Sequence, residues 1–187
     1  MITGSPGSGK TTLAAALQRE LHYPLLRRDT LKEVLLDHLG DADRPASRRL
    51  GAASWSLLWE MLWEMLEQLA GRVPVIVESN FSRGRDETNL APRLALSSPV
   101  MLHCETDPET LRARVAERKG STDRHPGHFD DIAWLEVERR LADGGYEPLD
   151  LPFPTLRIDT TAGLNPNLEA ILEYIRSDES GCIPEPY

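Results

Sequence analysis

Gly4-Ser5-Pro6-Gly7-Ser8-Gly9-Lys10-Thr11 decides the fold. The stretch fits G-x-x-x-x-G-K-[ST] at every fixed position, and it stands between a short apolar start, Met1 to Thr3, and an Ala/Leu-rich run from Lys10 to Leu21. That is a strand end, a glycine-rich loop and a helix start. Glycines let successive backbone N–H groups converge on phosphate oxygens, and the helix N-terminus adds positive potential. Lys10 is placed to reach the β- and γ-phosphates, and the Thr11 hydroxyl to coordinate Mg²⁺. Gly7, Ser8, Gly9, Lys10, Thr11 and Thr12 are therefore the expected nucleotide contacts. Met1 to Thr3 is shorter than the roughly five residues of an ordinary strand, which predicts a natural start further upstream.

Outward from the loop, strand and helix signals alternate. Tyr23–Arg27 reads as a second strand, and Asp29 with Thr30 precede a helix through Leu39. A long helix is predicted from about Ser47 to Ala70, with Trp55, Trp59 and Trp63 recurring every four residues. Val73–Val77 is a β-branched strand ending at Glu78, and Glu87–Leu96 a weak helix interrupted by Pro92. Val100–Cys104 is a strand, and Asp107-Pro108-Glu109 opens a helix with a capping carboxylate. A helix over about Ile132–Leu141, a strand at Leu156–Ile158 and a helix over Asn167–Ile175 complete the series. The alternation predicts a single α/β domain of three layers, a mostly parallel sheet of about five strands covered on both faces. Residues 1–176 form that domain, with a polar lid at about 119–130 and a flexible tail at 177–187.

Composition bounds the function. The 187 residues carry 21 Lys and Arg against 30 Asp and Glu, a net charge of −9, which repels nucleic acid backbones and anionic lipid at long range. Hydrophobic residues at 40% suffice for one core and argue against disorder. Cys104 and Cys182 stand far apart with no CxxC pair, so neither a disulfide framework nor a zinc site is predicted. No apolar run approaches the roughly 18 residues of a membrane span and no signal peptide opens the chain, so a cytoplasmic protein is expected.

Gly4 to Thr11, Arg28-Asp29 with Lys32, Glu78 to Asn80, and Arg114 with Arg118 together resemble the small P-loop (Walker A) kinases of the polynucleotide 5′-kinase-like group. Zeta toxins and chloramphenicol phosphotransferase are more distant relatives of that group. The resemblance implies an ATP- and Mg²⁺-dependent transferase that moves a phosphoryl group to a hydroxyl. In such kinases an Arg-Asp pair after the second strand carries the general base, which matches Arg28-Asp29. Apart from the resemblance, a carboxylate at the carboxyl end of a strand beside the loop lies where open α/β sheets bind ligands, and it can equally cap the next helix.

Lys32 stands where the family has an arginine at the acceptor. It keeps the charge but loses bidentate phosphate recognition, which weakens the case for a phosphorylated acceptor; a solvated surface lysine is the alternative. Glu78 takes a place usually held by Asp and serves either the metal or a strand-end ion pair. Arg28, Lys32, Asn80 and Arg83 are candidate acceptor contacts, with Arg85 beside them. By the resemblance Arg114 stacks on the adenine and Arg118 touches the transferring phosphates, with Arg124 a second candidate from the lid; as residues alone, Arg114 and Arg118 form an i,i+4 row on one helix face. His125 and His128 read as a turn rather than a metal site. The tryptophan stripe is either core, a dimer interface or an aromatic wall for a flat acceptor.

A nucleoside, sugar or antibiotic is the expected acceptor. The alternatives are a nucleic acid 5′-hydroxyl, disfavoured by net charge, and a nucleotide-dependent switch or ATPase that acts on a protein partner.

Overall fold

The computed structural model describes residues 1–40, 43–69, 73–92, 97–118, 125–128 and 130–179. Five parallel strands run β1 (Ile2–Gly4), β2 (Leu25–Arg27), β3 (Ile76–Glu78), β4 (Met101–Glu105) and β5 (Thr155–Asp159), in the spatial order β2-β3-β1-β4-β5. Register pairs Ile2 with both Glu78 and Leu102, Arg27 with Glu78, and Cys104 with both Gly4 and Ile158. The chain builds one side of β1 with β2 and β3 and then crosses to the other with β4 and β5. The phosphate loop leaves β1 at that reversal, the position at which such sheets open a crevice beyond their carboxyl ends.

Alternation along the strands fills both faces. Ile76 and Leu102 enter a core with Leu13 and Leu17 of α1 (Lys10–Leu21) and Ile171 of α7 (Leu168–Glu179). Their neighbours Val77 and Met101 enter a second core with Leu58, Trp59 and Trp63 of α3 (Arg44–Leu69) and Leu90 of α4 (Glu87–Leu90). Helices thus cover both sides of a fully parallel sheet, the three-layer arrangement expected from the sequence.

The remaining helices are α2 (Arg28–Leu39), α5 (Pro108–Arg118) and α6 (Asp130–Ala142). Several boundaries differ from the sequence reading, among them β3, which spans Ile76–Glu78 rather than Val73–Val77. Helix α3 starts at Arg44 rather than near Ser47 because the Asp43 carboxylate accepts the Ala46 N–H at 2.7 Å, and Pro45 is tolerated inside a first turn. Helix α4 is one turn long, and 93–96 lie outside the described residues. Helix α7 runs on to Glu179; the rest of the expected tail, 180–187, is likewise outside them.

Helix α2 follows β2 with no loop. Arg27 is its N-cap and makes no side-chain cap bond, so Asp29 is the second helical residue rather than the cap. A strand that runs straight into a helix holds Arg28 and Asp29 at the sheet's carboxyl edge.

Candidate active site

The loop is built around positions that admit no side chain. At Gly4 (φ +139°) a Cβ would lie 2.1 Å from the Cys104 carbonyl oxygen on the neighbouring strand, so only glycine lets the backbone turn there. Ser8 is fully buried, and its carbonyl lies 3.0 Å from the Thr160 hydroxyl beyond β5. Lys10 is buried too, and its Nζ donates to the Ser5 carbonyl at 2.6 Å. Burial pushes the Lys10 ammonium below its ordinary pKa, and the Glu78 carboxylate opposes that shift. Glu78 is affected in the opposite sense: burial raises its pKa and Lys10 opposes the rise. Each thus favours the charged form of the other at the base of the loop.

Thr11 donates from Oγ1 to Oε2 of Glu78 at 3.5 Å. A hydroxyl and a carboxylate facing one another are hard oxygen donors of the kind Mg²⁺ takes, and that ion ordinarily completes its shell with phosphate oxygens and water. The pair fits such an ion.

Two cavities meet at the loop. The first, about 320 Å³, lies over the carboxyl ends of β1, β2 and β3, and Lys10, Thr11, Arg28, Asp29, Lys32, Glu78 and Asn80 all line it. The second, about 540 Å³, lies on the β5 side between Gly7, Thr12, Arg114, Thr160 and Leu164. Gly7, Gly9 and Arg118 line both, so Arg118 stands at the junction. Arg114 binds by its edge: one nitrogen donates to the Thr160 carbonyl at 2.6 Å, the other to the Thr160 hydroxyl at 3.1 Å and the Gly7 carbonyl at 3.4 Å.

Arg28 is largely buried, donates to the Gly51 carbonyl at 3.3 Å, pairs with Asp29 at 3.5 Å and lies 5.1 Å from the Trp55 ring centre. The tryptophan stripe divides along its length. Trp59 and Trp63 are stacked core residues, whereas Trp55, stacked on Trp59 at 5.8 Å, reaches the first cavity. Core and aromatic wall are both present in one stripe.

Arg83 does not join the site: it lies outside both cavity walls and faces Asp150 at 3.9 Å, while its neighbour Arg85 takes the place in the cleft. The reason is the turn after Ser82, where the buried Asp86 carboxylate accepts the Ser82 N–H at 2.7 Å and holds Arg85 through two bonds. Of the expected lid, 119–124 and 129 lie outside the described residues, Lys119 and Arg124 among them. His125 and His128 face carboxylates of α2, Asp37 at 3.1 Å and Glu33 at 2.8 Å. Sequence reasoning missed a whole wall, Trp134, Glu136, Val137 and Arg140 of α6 with Tyr146 after it. Nothing in their spacing marks them, because the crossing of α6 over the cleft is a tertiary fact.

A family model described as an AAA domain matches residues 1–143. The chain belongs to the AAA domain family. No curated protein matches it in sequence. Among solved structures, this AAA domain chain is similar to a candidate kinase from Chloroflexus aurantiacus, at 34% identity over 95% of each chain with a TM-score of 0.81. A sugar kinase from a Janibacter species, 18% identical over 94% of this chain and 92% of its own, shares the fold at a TM-score of 0.56. The fold of this AAA domain protein is that of the P-loop kinases, which supports phosphoryl transfer to a small molecule in general. Among its described residues no helix is long and apolar enough to cross a membrane.

Proposed function

We propose that the chain transfers the γ-phosphoryl group of Mg²⁺-ATP to a hydroxyl of a small molecule such as a nucleoside, sugar or antibiotic, as a member of the small kinases that resemble polynucleotide 5′-kinase. The observation that carries this is the position of Asp29. It lines the same cleft as Lys10 and Arg118 but arrives from β2, across from the phosphate loop, and it is not consumed as a helix cap.

Each residue then has a task. The cavity beside Arg114 and Leu164 takes the base, and the backbone of Gly7, Ser8 and Gly9 takes the phosphates with Thr12 beside them. Thr11 and Glu78 hold Mg²⁺, which when bound neutralises phosphate charge. Lys10 and Arg118 stabilise charge on the transferring group from opposite sides of the loop. The acceptor oxygen forms a bond to the γ-phosphorus as the bond to the β,γ-bridging oxygen breaks. ADP leaves, and the hydroxyl proton passes to an Asp29 oxygen. Arg28, Lys32 and Asn80 orient the acceptor.

Asp29→Asn tests the assignment. Nucleotide affinity measured by calorimetry stays within about threefold while turnover falls by at least ~100-fold. Unchanged turnover would remove Asp29 from the chemistry.

A further inference from the structure

The described residues that line the first cavity include six cations, Lys10, Arg28, Lys32, Arg85, Arg118 and Arg140, against three carboxylates, Asp29, Glu78 and Glu136. This excess sits in a chain whose net charge is −9, so it is a local construction rather than an average property. Glu136 contributes little to the balance, because Arg44 and Arg48 reach it at 2.5 and 2.6 Å. Lys10 and Arg118 border the loop and match the phosphates. The other cations line the far part of the cleft, and none of them borders the second cavity.

Three of those cations form one structure. Arg28 and Arg85 lie 5.1 and 5.2 Å from the centre of the same Trp55 ring. Arg85 is held by buried Asp86, whose carboxylate also takes the Ser82 N–H, and the Ser82 hydroxyl in turn accepts a hydrogen bond from Arg140. Arg140 lies 5.0 Å from the Tyr146 ring centre and has no carboxylate partner among the described residues. Aromatic faces and a buried carboxylate hold the guanidinium planes in place, a preorganised arrangement suited to a planar or tetrahedral oxyanion. Arg28 pairs with Asp29 and Arg85 with Asp86, so Arg140 is the guanidinium of the three whose charge a neutral acceptor would leave without a carboxylate among the described residues.

We propose that the acceptor carries, besides its reactive hydroxyl, an oxyanion group, a carboxylate or a phosphate monoester, and that Arg28, Arg85 and Arg140 bind it around Trp55 and Tyr146. This deepens the kinase reading and rests on it. Lysine at position 32 removes one bidentate partner; Arg140 of α6 supplies a guanidinium, and Arg85 in the turn after Ser82, whose Nε and Nη2 bind Asp86, adds its remaining N–H groups.

Two measurements test it. In the first, protein loaded with Mg²⁺ and a non-hydrolysable ATP analogue is titrated by calorimetry with malonate and, separately, inorganic phosphate. At least one anion binds with a millimolar or tighter constant, Arg140→Gln weakens that binding by at least ~10-fold, and Arg140→Lys restores part of it. The stronger of the two anions tells carboxylate from phosphate. No binding of either anion, or binding untouched in Arg140→Gln, overturns the proposal. In the second, ADP release is compared across matched neutral polyols, their carboxylic acids and their phosphate esters. Higher kcat/KM with an anionic set, with KM raised by Arg140→Gln, supports it, and preference for the neutral set overturns it. If no acceptor is turned over at all, the kinase reading is what fails, and the anion titration still decides whether the cluster is an oxyanion site.

Discussion

Arg114 donates to the carbonyl oxygen of Thr160 at 2.6 Å and, through its other terminal nitrogen, reaches the Gly7 carbonyl at 3.4 Å. Helix α5 thereby ties the phosphate loop to the end of β5. The Thr160 hydroxyl adds to the link, accepting from Arg114 while lying 3.0 Å from the Ser8 carbonyl. Arg114→Ala removes these donors and leaves partly buried carbonyls unsatisfied, at a cost of roughly 1–3 kcal/mol. Nucleotide affinity is expected to fall about tenfold and the melting temperature by several degrees. Calorimetry and thermal unfolding check both, and a variant with unchanged affinity would show that Arg114 is structural only.

In the proposed function Glu78 takes the metal. Glu78→Gln keeps the shape and removes the charge, so the Mg²⁺ concentration for half-maximal turnover rises at least ~10-fold while metal-free nucleotide binding changes less. Burial raises the Glu78 carboxyl above its ordinary value of 4.5 in the metal-free protein, so protons compete with Mg²⁺ for it and the metal requirement rises as pH falls. A metal titration and a pH profile of wild type and variant decide the matter; an unshifted metal requirement would leave Glu78 a structural carboxylate beside Thr11.

His103 gives the pH dependence of stability. It sits buried on β4, paired in register with Arg157 of β5, and burial, followed by that arginine's charge, lowers its pKa from 6.5 to about 4. The folded state therefore prefers neutral imidazole. Stability is fully present above pH 6.5 and is lost as pH falls from there towards 4, because the unfolded chain binds the proton first, and the full loss is about 3 kcal/mol. Melting temperatures of wild type and His103→Gln between pH 7 and 4.5 check this: the variant's curve is the flatter one. Parallel curves would mean that another group sets the slope.

Gly51 matters to the cleft from behind. A Cβ there would lie 3.2 Å from Nη2 of Arg28, the nitrogen that donates to the Gly51 carbonyl. Gly51→Val displaces that guanidinium from its seat against α3. Acceptor KM is expected to rise about tenfold with ATP affinity unchanged, since Arg28 lines only the acceptor cavity. Steady-state kinetics with both substrates varied would reveal a change in ATP KM instead, which would contradict this division of the site.

The phosphate loop was legible because its chemistry is local. Gly4 to Thr11 are adjacent in sequence, and the strand and helix on either side are short-range patterns. The place of Asp29 in the cleft was legible for the same reason, since it stands just after a strand. The α6 wall was not, since Trp134, Arg140 and Tyr146 share a cavity with Trp55 only through tertiary packing. Arg83 and Arg85 are two residues apart in one loop and indistinguishable by type. The buried Asp86 carboxylate chose between them, and its burial is a property of the fold.

The proposed activity is acceptor-dependent phosphoryl transfer in the cleft that Lys10 and Asp29 share. Its most direct test is ADP production from Mg²⁺-ATP with and without pooled hydroxyl compounds, with the Lys10→Ala protein as the blank. The expected result is ADP release that requires one acceptor pool and vanishes in the blank. ADP release that is indifferent to every pool but stimulated by a protein would contradict it and point to a nucleotide-dependent switch.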